Sequence, residues 1–311
     1  MKKFAIGADI GGSHISCAAI DLDRKAIVES SITTQAVDNQ ASAKVILDSW
    51  AAALNRSIAA IDMHELAGIG FAMPGPFNYA QGIAMFTHEV AKYQNLHGIN
   101  VSEHIKPLLT INGECDVRYL NDATSFAVGE AWLGKASGVK RSMSITLGTG
   151  FGSAFVDDGI PIVAGEDVPE MGCVWHLPFQ GKIADESFST RWFINQYIAK
   201  SGHKAAGVKE IADNFATDPV AREIFIEFGT NLGIFLAPWL KKFDAEALVI
   251  GGNIAAAYNL FGSSLRNSLA NHGAAMPVHI SDLKENAALI GSARLFDEGI
   301  WTNVKPLLAS M

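Results

Sequence analysis

Two short glycine-rich turns, each set between apolar runs, constrain this chain more than any other feature. The first is Ile6-Gly7-Ala8-Asp9-Ile10-Gly11-Gly12-Ser13-His14-Ile15, and the second is Ile145-Thr146-Leu147-Gly148-Thr149-Gly150-Phe151-Gly152-Ser153-Ala154. An apolar run, a polar glycine turn and a second apolar run read as two strands joined by a tight hairpin. Glycine lets the backbone approach a phosphate closely, and successive N–H groups form an anion-binding nest. Either turn alone is more simply a plain hairpin; the pair suggests one site gripping a polyphosphate from both sides. Gly7 and Gly12 have the spacing of a Walker-type loop, but Ser13-His14 stands where Lys-Ser/Thr is required. The dinucleotide pattern G-x-G-x-x-G is absent from the first turn. After Gly148-Thr149-Gly150 the chain reads as a strand, not a helix start.

At 311 residues the chain is long enough for two domains and a sizeable core. Its apolar and charged fractions, 49% and 18%, are those of an ordinary globular enzyme. The formal net charge of −8, with no basic run to override it, argues against nucleic-acid partners and anionic membranes. No stretch approaches the roughly 20 apolar residues that span a bilayer. Asp9 interrupts the only segment resembling a signal peptide, and no cleavage site follows it. Cys17, Cys115 and Cys173 have neither metal-binding nor disulfide spacing, which fits a reducing cytoplasm.

Strands are expected at Phe4–Asp9, Ile15–Asp21, Ala26–Ile32, Leu66–Ala72 and Val117–Asn121. Helices are expected over Ser42–Met63, with Val45, Ile46, Trp50, Leu54 and Ile58 at helical spacing, and over Ala123–Leu133. The second half repeats the theme, with strands at Met143–Leu147, Ser153–Val156 and Ala247–Ile250 and a long helix over Val220–Lys242. Such alternation argues for an α/β sheet. Two halves with the same opening suggest an ancient duplication with a cleft between them.

Three places carry chemistry. Asn121-Asp122 joins a strand end to a helix start. Asp122 reads either as a helix cap or as a general base accepting a hydroxyl proton from a substrate. Asp9 beside Gly11-Gly12 is either a turn residue or a carboxylate bridged to phosphate by Mg²⁺. Gly251-Gly252-Asn253, after an apolar strand, offers a flat backbone surface for a purine, or is a loop with a helix cap at Asn253.

In this order the motifs resemble the ROK family of sugar kinases and repressors, members of the actin–hexokinase superfamily. Asp9-Ile10-Gly11-Gly12-Ser13 resembles the family's first phosphate motif, and Leu147-Gly148-Thr149-Gly150-Phe151-Gly152 its second. Met73-Pro74-Gly75-Pro76 is similar to the sugar-cleft segment, Leu120-Asn121-Asp122-Ala123 to the Asn-Asp pair, and Ile250-Gly251-Gly252-Asn253 to the adenosine motif. Ala288-Leu289-Ile290-Gly291-Ser292-Ala293 resembles the helix that connects the domains. The resemblance implies two ribonuclease-H-like domains with an interdomain cleft, expected as residues 1–121 plus about 290–311, and 122–289. It implies ATP with Mg²⁺ near Asp9, phosphoryl transfer to a hexose hydroxyl (the 6-hydroxyl of glucose or a related aldohexose), and a cytoplasmic homodimer. Asp122 would be the base, with Gly75, Asn121, Glu170 and Glu186 as sugar ligands. Gly11, Gly12, Ser13, Gly148, Thr149, Gly150, Gly251, Gly252 and Asn253 would hold the nucleotide.

One segment departs from the family pattern. Cys173 occupies the place of the motif histidine in Glu170-Met171-Gly172-Cys173, and the zinc-binding cysteine cluster is missing before Glu186. Structural zinc normally takes four ligands, whereas Cys173 and His176 supply two, so no structural zinc is expected. His176 either replaces the missing sugar contact or is a local structural residue beside Trp175. The change leaves open an N-acetylhexosamine such as N-acetylmannosamine as substrate, and a non-catalytic sugar-binding or regulatory role. A DNA-binding repressor is not expected, since eight residues precede Asp9 and the charge is acidic.

Overall fold

The apolar runs flanking the first glycine turn pair with each other across it. In the computed structural model, which describes residues 2–87, 92–111 and 113–311, β1 (Phe4–Ile10) and β2 (His14–Asp21) are antiparallel, with Ile10 opposite Ile15. The strand expected over Ala26–Ile32 is broken. Only β3 (Ala26–Ile27) forms, followed by a 3₁₀ turn at Glu29–Ser31 and then β4 (Thr33–Ala36), which returns to β2. The cause is the buried Ser31, whose hydroxyl accepts the Ala19 amide at 2.7 Å and donates to Val28 O at 2.5 Å. Helix α1 (Ala43–Ile58) stops short of Met63 and buries Ile46, Trp50, Leu54 and Ile58 along one stripe. β5 (Leu66–Met73) and β6 (Asp116–Asn121) lie parallel to β1, giving the order β3-β2-β1-β5-β6, and α2 (Asp122–Leu133) leaves directly from β6.

The pattern recurs further along the chain. β7 (Arg141–Leu147), β8 (Phe151–Asp157) and β9 (Ile160–Ile162) are antiparallel; β10 (Ala247–Gly251) and β11 (Val278–Ile280) continue parallel, in the order β9-β8-β7-β10-β11. Helices α3 (Thr190–Ser201), α4 (Pro219–Lys242) and α5 (Tyr258–Asn271) belong to this half, and α6 (Asn286–Ala293) returns to the first. The apolar stretch within α4 is mostly core, since Phe235, Leu236, Ala237 and Leu240 are buried and Ile234 is exposed.

Two compact units result: Met1–Leu133 with Glu285–Met311, and Gly134–Lys284. Helix α2 therefore goes with the first unit, whereas the sequence reading assigned it to the second. Its partner α6 explains this. A Cβ at Gly129 would collide with Ala287 O, and one at Gly291 with Ser125 O, so the helices touch backbone to backbone. Gly7 plays the same part, facing Leu289 O from the middle of β1. It is a packing glycine, and the Walker-like spacing has no structural counterpart. No helix among the described residues is long and apolar enough to cross a membrane.

Candidate active site

The parallel strands of the first unit bring three sequence motifs to one edge. Asp9 in β1 pairs with Ala72 in β5, and Met73 pairs with Asn121 at the end of β6. Asp9, the Met73-Pro74-Gly75-Pro76 segment and Asn121-Asp122 thus share the carboxyl ends of neighbouring strands, where α/β folds bind ligands. The Gly75-Pro76 peptide is cis, and Gly75 is exposed. The capping role considered for Asp122 belongs to Asn121. Asn121 Oδ1 accepts the Thr124 amide (3.1 Å) and hydroxyl (3.3 Å), and its Nδ2 donates to Tyr79 Oη (3.1 Å), which donates to Met73 O (3.3 Å). Asp122 Oδ1 accepts the Ala123 amide at 2.8 Å.

Burial pushes the Asp122 carboxyl above its ordinary range, opposed by the Ala123 amide and the nearby Lys92 ammonium. Asp9 is pushed up to about 7, by burial first and then by the charges of Asp122 and Glu285. Such upward shifts mark groups that gain from a proton or an added cation. Among the described residues, no three His, Cys, Asp or Glu side chains gather as a metal cage.

The first glycine turn is fastened by its carbonyls. Gly11 O accepts the Tyr93 hydroxyl (2.7 Å), Gly12 O the Asn39 side-chain amide and Ser13 O the Val37 amide (2.8 Å), while the Gly11 amide donates to His14 O (2.9 Å). The amides of Gly12 and Ser13 have no acceptor among the described residues. Gly12 leaves room for Lys92, whose Nζ lies 2.7 Å from where a Cβ would stand.

In the second unit, Gly148 O accepts both the amide (2.8 Å) and hydroxyl (3.0 Å) of Thr190, the Gly148 amide donates to Gly150 O (3.0 Å), and the Phe151 amide donates to Asp185 Oδ1 (2.8 Å). The Thr149 and Gly150 amides have no acceptor among the described residues. Gly251 ends β10 opposite Thr146. Gly252, at φ 82° and ψ 169°, packs on the backbone of Leu147, next to the turn. That backbone region is essentially restricted to glycine. Asn253 opens a 3₁₀ turn (Asn253–Ala257) without a side-chain cap bond, so the cap considered for it is not formed.

Glu170 and Glu186 are both exposed, at the two ends of a reshaped segment. Where the family pattern has its cysteine cluster, this chain forms a β-hairpin. Pro178 pairs with Ile183 and Phe179 with Lys182, and the ladder continues through Ala184 N to Leu177 O and Asp185 N to Trp175 O, each 2.9 Å. Gln180 and Gly181 make the two-residue turn, with φ 48° and 79°, as a type I′ hairpin requires. Phe179 anchors it against Phe188 and Phe235, with ring centroids 5.2 and 5.5 Å apart. The His176 ring stands edge-on to Trp175, and its Nδ1 lies 3.8 Å from Cys173 Sγ. Burial pushes the Cys173 thiol up to about 11.

Sequence reasoning missed Lys92, Asn39, Tyr93, Asp185, Thr190 and Glu285. All reach the glycine turns or Asp9 and Asp122 from distant parts of the chain. Only Asp185, adjacent to Glu186, lay near a residue already singled out.

Two mixed sheets of the same strand order, each opened by a glycine turn, define an actin–hexokinase type of fold. The ROK family signature matches residues 5–298, and the chain belongs to that family. It is 26% identical to the glucokinase of Thermotoga maritima, covering 96% of this chain and 99% of that one. It is 25% identical to the N-acetyl-D-glucosamine kinase of Haemophilus influenzae, covering 93% and 98%. The ROK family glucokinase from Streptomyces griseus, solved in complex with glucose and AMPPNP, superposes with a TM-score of 0.71 at 22% identity, covering 95% of this chain and all of that one.

Proposed function

We propose that this protein is a cytoplasmic, ATP-dependent hexose kinase, transferring the γ-phosphoryl group to a hydroxyl of glucose or a related aldohexose, the 6-hydroxyl foremost. The observation that carries this reading is the state of Asp122: a desolvated carboxylate at a strand terminus, released from helix capping by Asn121. Phosphoryl transfer asks the protein chiefly to position groups and neutralise charge. As the sugar oxygen bonds to γ-phosphorus, its proton passes to Asp122, and the bond from γ-phosphorus to the bridging oxygen breaks to release ADP. Gly75, Asn121, Glu170, Glu186 and His176 are the sugar contacts in this reading. Gly11, Gly12, Ser13, Gly148, Thr149 and Gly150 offer amides to the phosphates, and Gly251, Gly252 and Asn253 form the purine surface.

Mg²⁺ enters with ATP in this scheme. The residues fit it, since Asp9 is a hard oxygen donor raised by burial and like charges, and Mg²⁺ typically takes one or two carboxylates plus substrate phosphates. When bound, the ion neutralises phosphate charge. The glucokinase and N-acetylglucosamine kinase relatives support a sugar kinase, and both sugar classes belong in the test. Asp122→Ala is expected to lower kcat by about 10²- to 10⁴-fold while AMP-PNP binding is retained. Turnover at the wild-type level in that variant would remove Asp122 from the chemistry.

A further inference from the structure

Three pieces of the second unit meet at Asp185, one residue before Glu186. Its amide donates to Trp175 O at 2.9 Å, closing the base of the hairpin. Its Oδ1 accepts the amide of Phe151, the residue that ends the second glycine turn, at 2.8 Å. Its Oδ2 lies 2.5 Å from Nη2 of Arg191, the second residue of α3, whose first residue, Thr190, holds Gly148 O. The carboxylate fits because Gly150 has no side chain: a Cβ there would stand 2.9 Å from Oδ1. Its side chain is 21% exposed, against 61% for Arg191. One carboxylate therefore fixes the turn and the helix, and its own peptide carries Glu186.

We propose that Asp185 is a positioning residue that couples Glu186 to the Gly148–Gly150 turn, with Arg191 as its counter-ion, so that sugar and nucleotide bind cooperatively. The proposal rests on the kinase reading above. A sugar hydroxyl held by Glu186 restrains the backbone at 185–186. That backbone aims the carboxylate holding the Phe151 amide, and so orders the turn whose Thr149 and Gly150 amides have no acceptor among the described residues. Coupling of this kind is reciprocal, each ligand tightening the other by the same factor. Asparagine at 185 keeps the oxygen that accepts from Phe151 and loses the charge that holds Arg191, separating the two contacts.

The test titrates AMP-PNP with Mg²⁺ by calorimetry, with and without saturating glucose or N-acetylglucosamine, for wild type, Asp185→Ala, Asp185→Asn and Arg191→Met. Amide exchange at Phe151 is followed in the same four proteins. The sugar is expected to tighten AMP-PNP by about fivefold or more in wild type. Asp185→Asn should keep most of that factor, Arg191→Met part of it, and Asp185→Ala less than about twofold. Phe151 exchange should accelerate by about tenfold or more in Asp185→Ala alone. A merely structural residue would lower thermal stability without changing the sugar-to-nucleotide factor. Wild-type coupling in Asp185→Ala, no coupling in wild type, or unchanged Phe151 exchange would each overturn the proposal. Failure of the kinase reading shows separately, as no phosphoryl transfer to any hexose, and the Phe151 exchange then still decides whether Asp185 holds the turn.

Discussion

The two glycine turns occupy like positions in sheets of like order, yet opposite chemistry holds them. The first, Gly11–Ser13, is fastened by neutral donors to its carbonyls: the Tyr93 hydroxyl, the Asn39 side-chain amide and the Val37 amide. The second, Gly148–Gly150, is gripped by Thr190 at one carbonyl and by the Asp185 carboxylate at the amide that follows it. Both leave two successive amides without a protein acceptor among the described residues. Charge is divided less evenly. The first turn lies beside Asp9, in the same unit as Asp122 and Glu285, with Asp9 and Asp122 raised by burial. The carboxylate at the second turn is already matched by Arg191. A repeated backbone frame thus presents a pair of amides without an acceptor twice among the described residues, while the carboxyls raised by burial, Asp9 and Asp122, belong to the first copy.

Two alanine substitutions break this comparison on stability, and the larger effect belongs to the second unit. Gly252→Ala puts a side chain on a glycine-only backbone conformation and drives it into the backbone of Leu147. It should cost roughly 2–5 kcal/mol of stability and weaken nucleotide binding, read by denaturant unfolding and AMP-PNP titration. Gly12→Ala meets only the flexible end of Lys92, at a φ that is not left-handed. Its stability should stay within about 0.5 kcal/mol of wild type, with the effect appearing in nucleotide binding instead. Equal destabilisation by both would remove the distinction.

A further effect concerns pH. Asp9 keeps its proton in the folded state up to about pH 7, whereas its ordinary value is 3.8. Between those values the unfolded chain has released a proton that the folded chain retains, so stability falls as pH rises, and the loss is constant above about 7. Asp9→Asn removes this loss. Its melting temperature should gain on wild type progressively from pH 4 to 7 and then hold level; a gain independent of pH would place the cause elsewhere.

Local pattern made the strands, both turns and the Asn121-Asp122 junction legible in the sequence. At that junction the residue pair was readable but the division of labour was not, because Asn121 takes the cap only once Tyr79 and Met73 fix its other end. The Ala26–Ile32 strand failed for a similar reason: Ser31 bonds to Ala19, a partner twelve residues away, and diverts the chain. Lys92 and Asp185 carry no local signature, since their meaning lies in contacts with Gly12 and Phe151. The hairpin after Cys173 has its local signal in Phe179-Gln180-Gly181-Lys182, a two-residue turn between paired strands.

The most direct test of the kinase account is ADP formation by the wild-type protein with MgATP, with and without each of glucose, mannose, allose, N-acetylglucosamine and N-acetylmannosamine, the products being identified by ³¹P NMR. The account expects ATP consumption that depends on one of these sugars and yields a sugar monophosphate in equal amount. ATP hydrolysis indifferent to sugar, or AMP-PNP binding with no transfer to any of them, would contradict it.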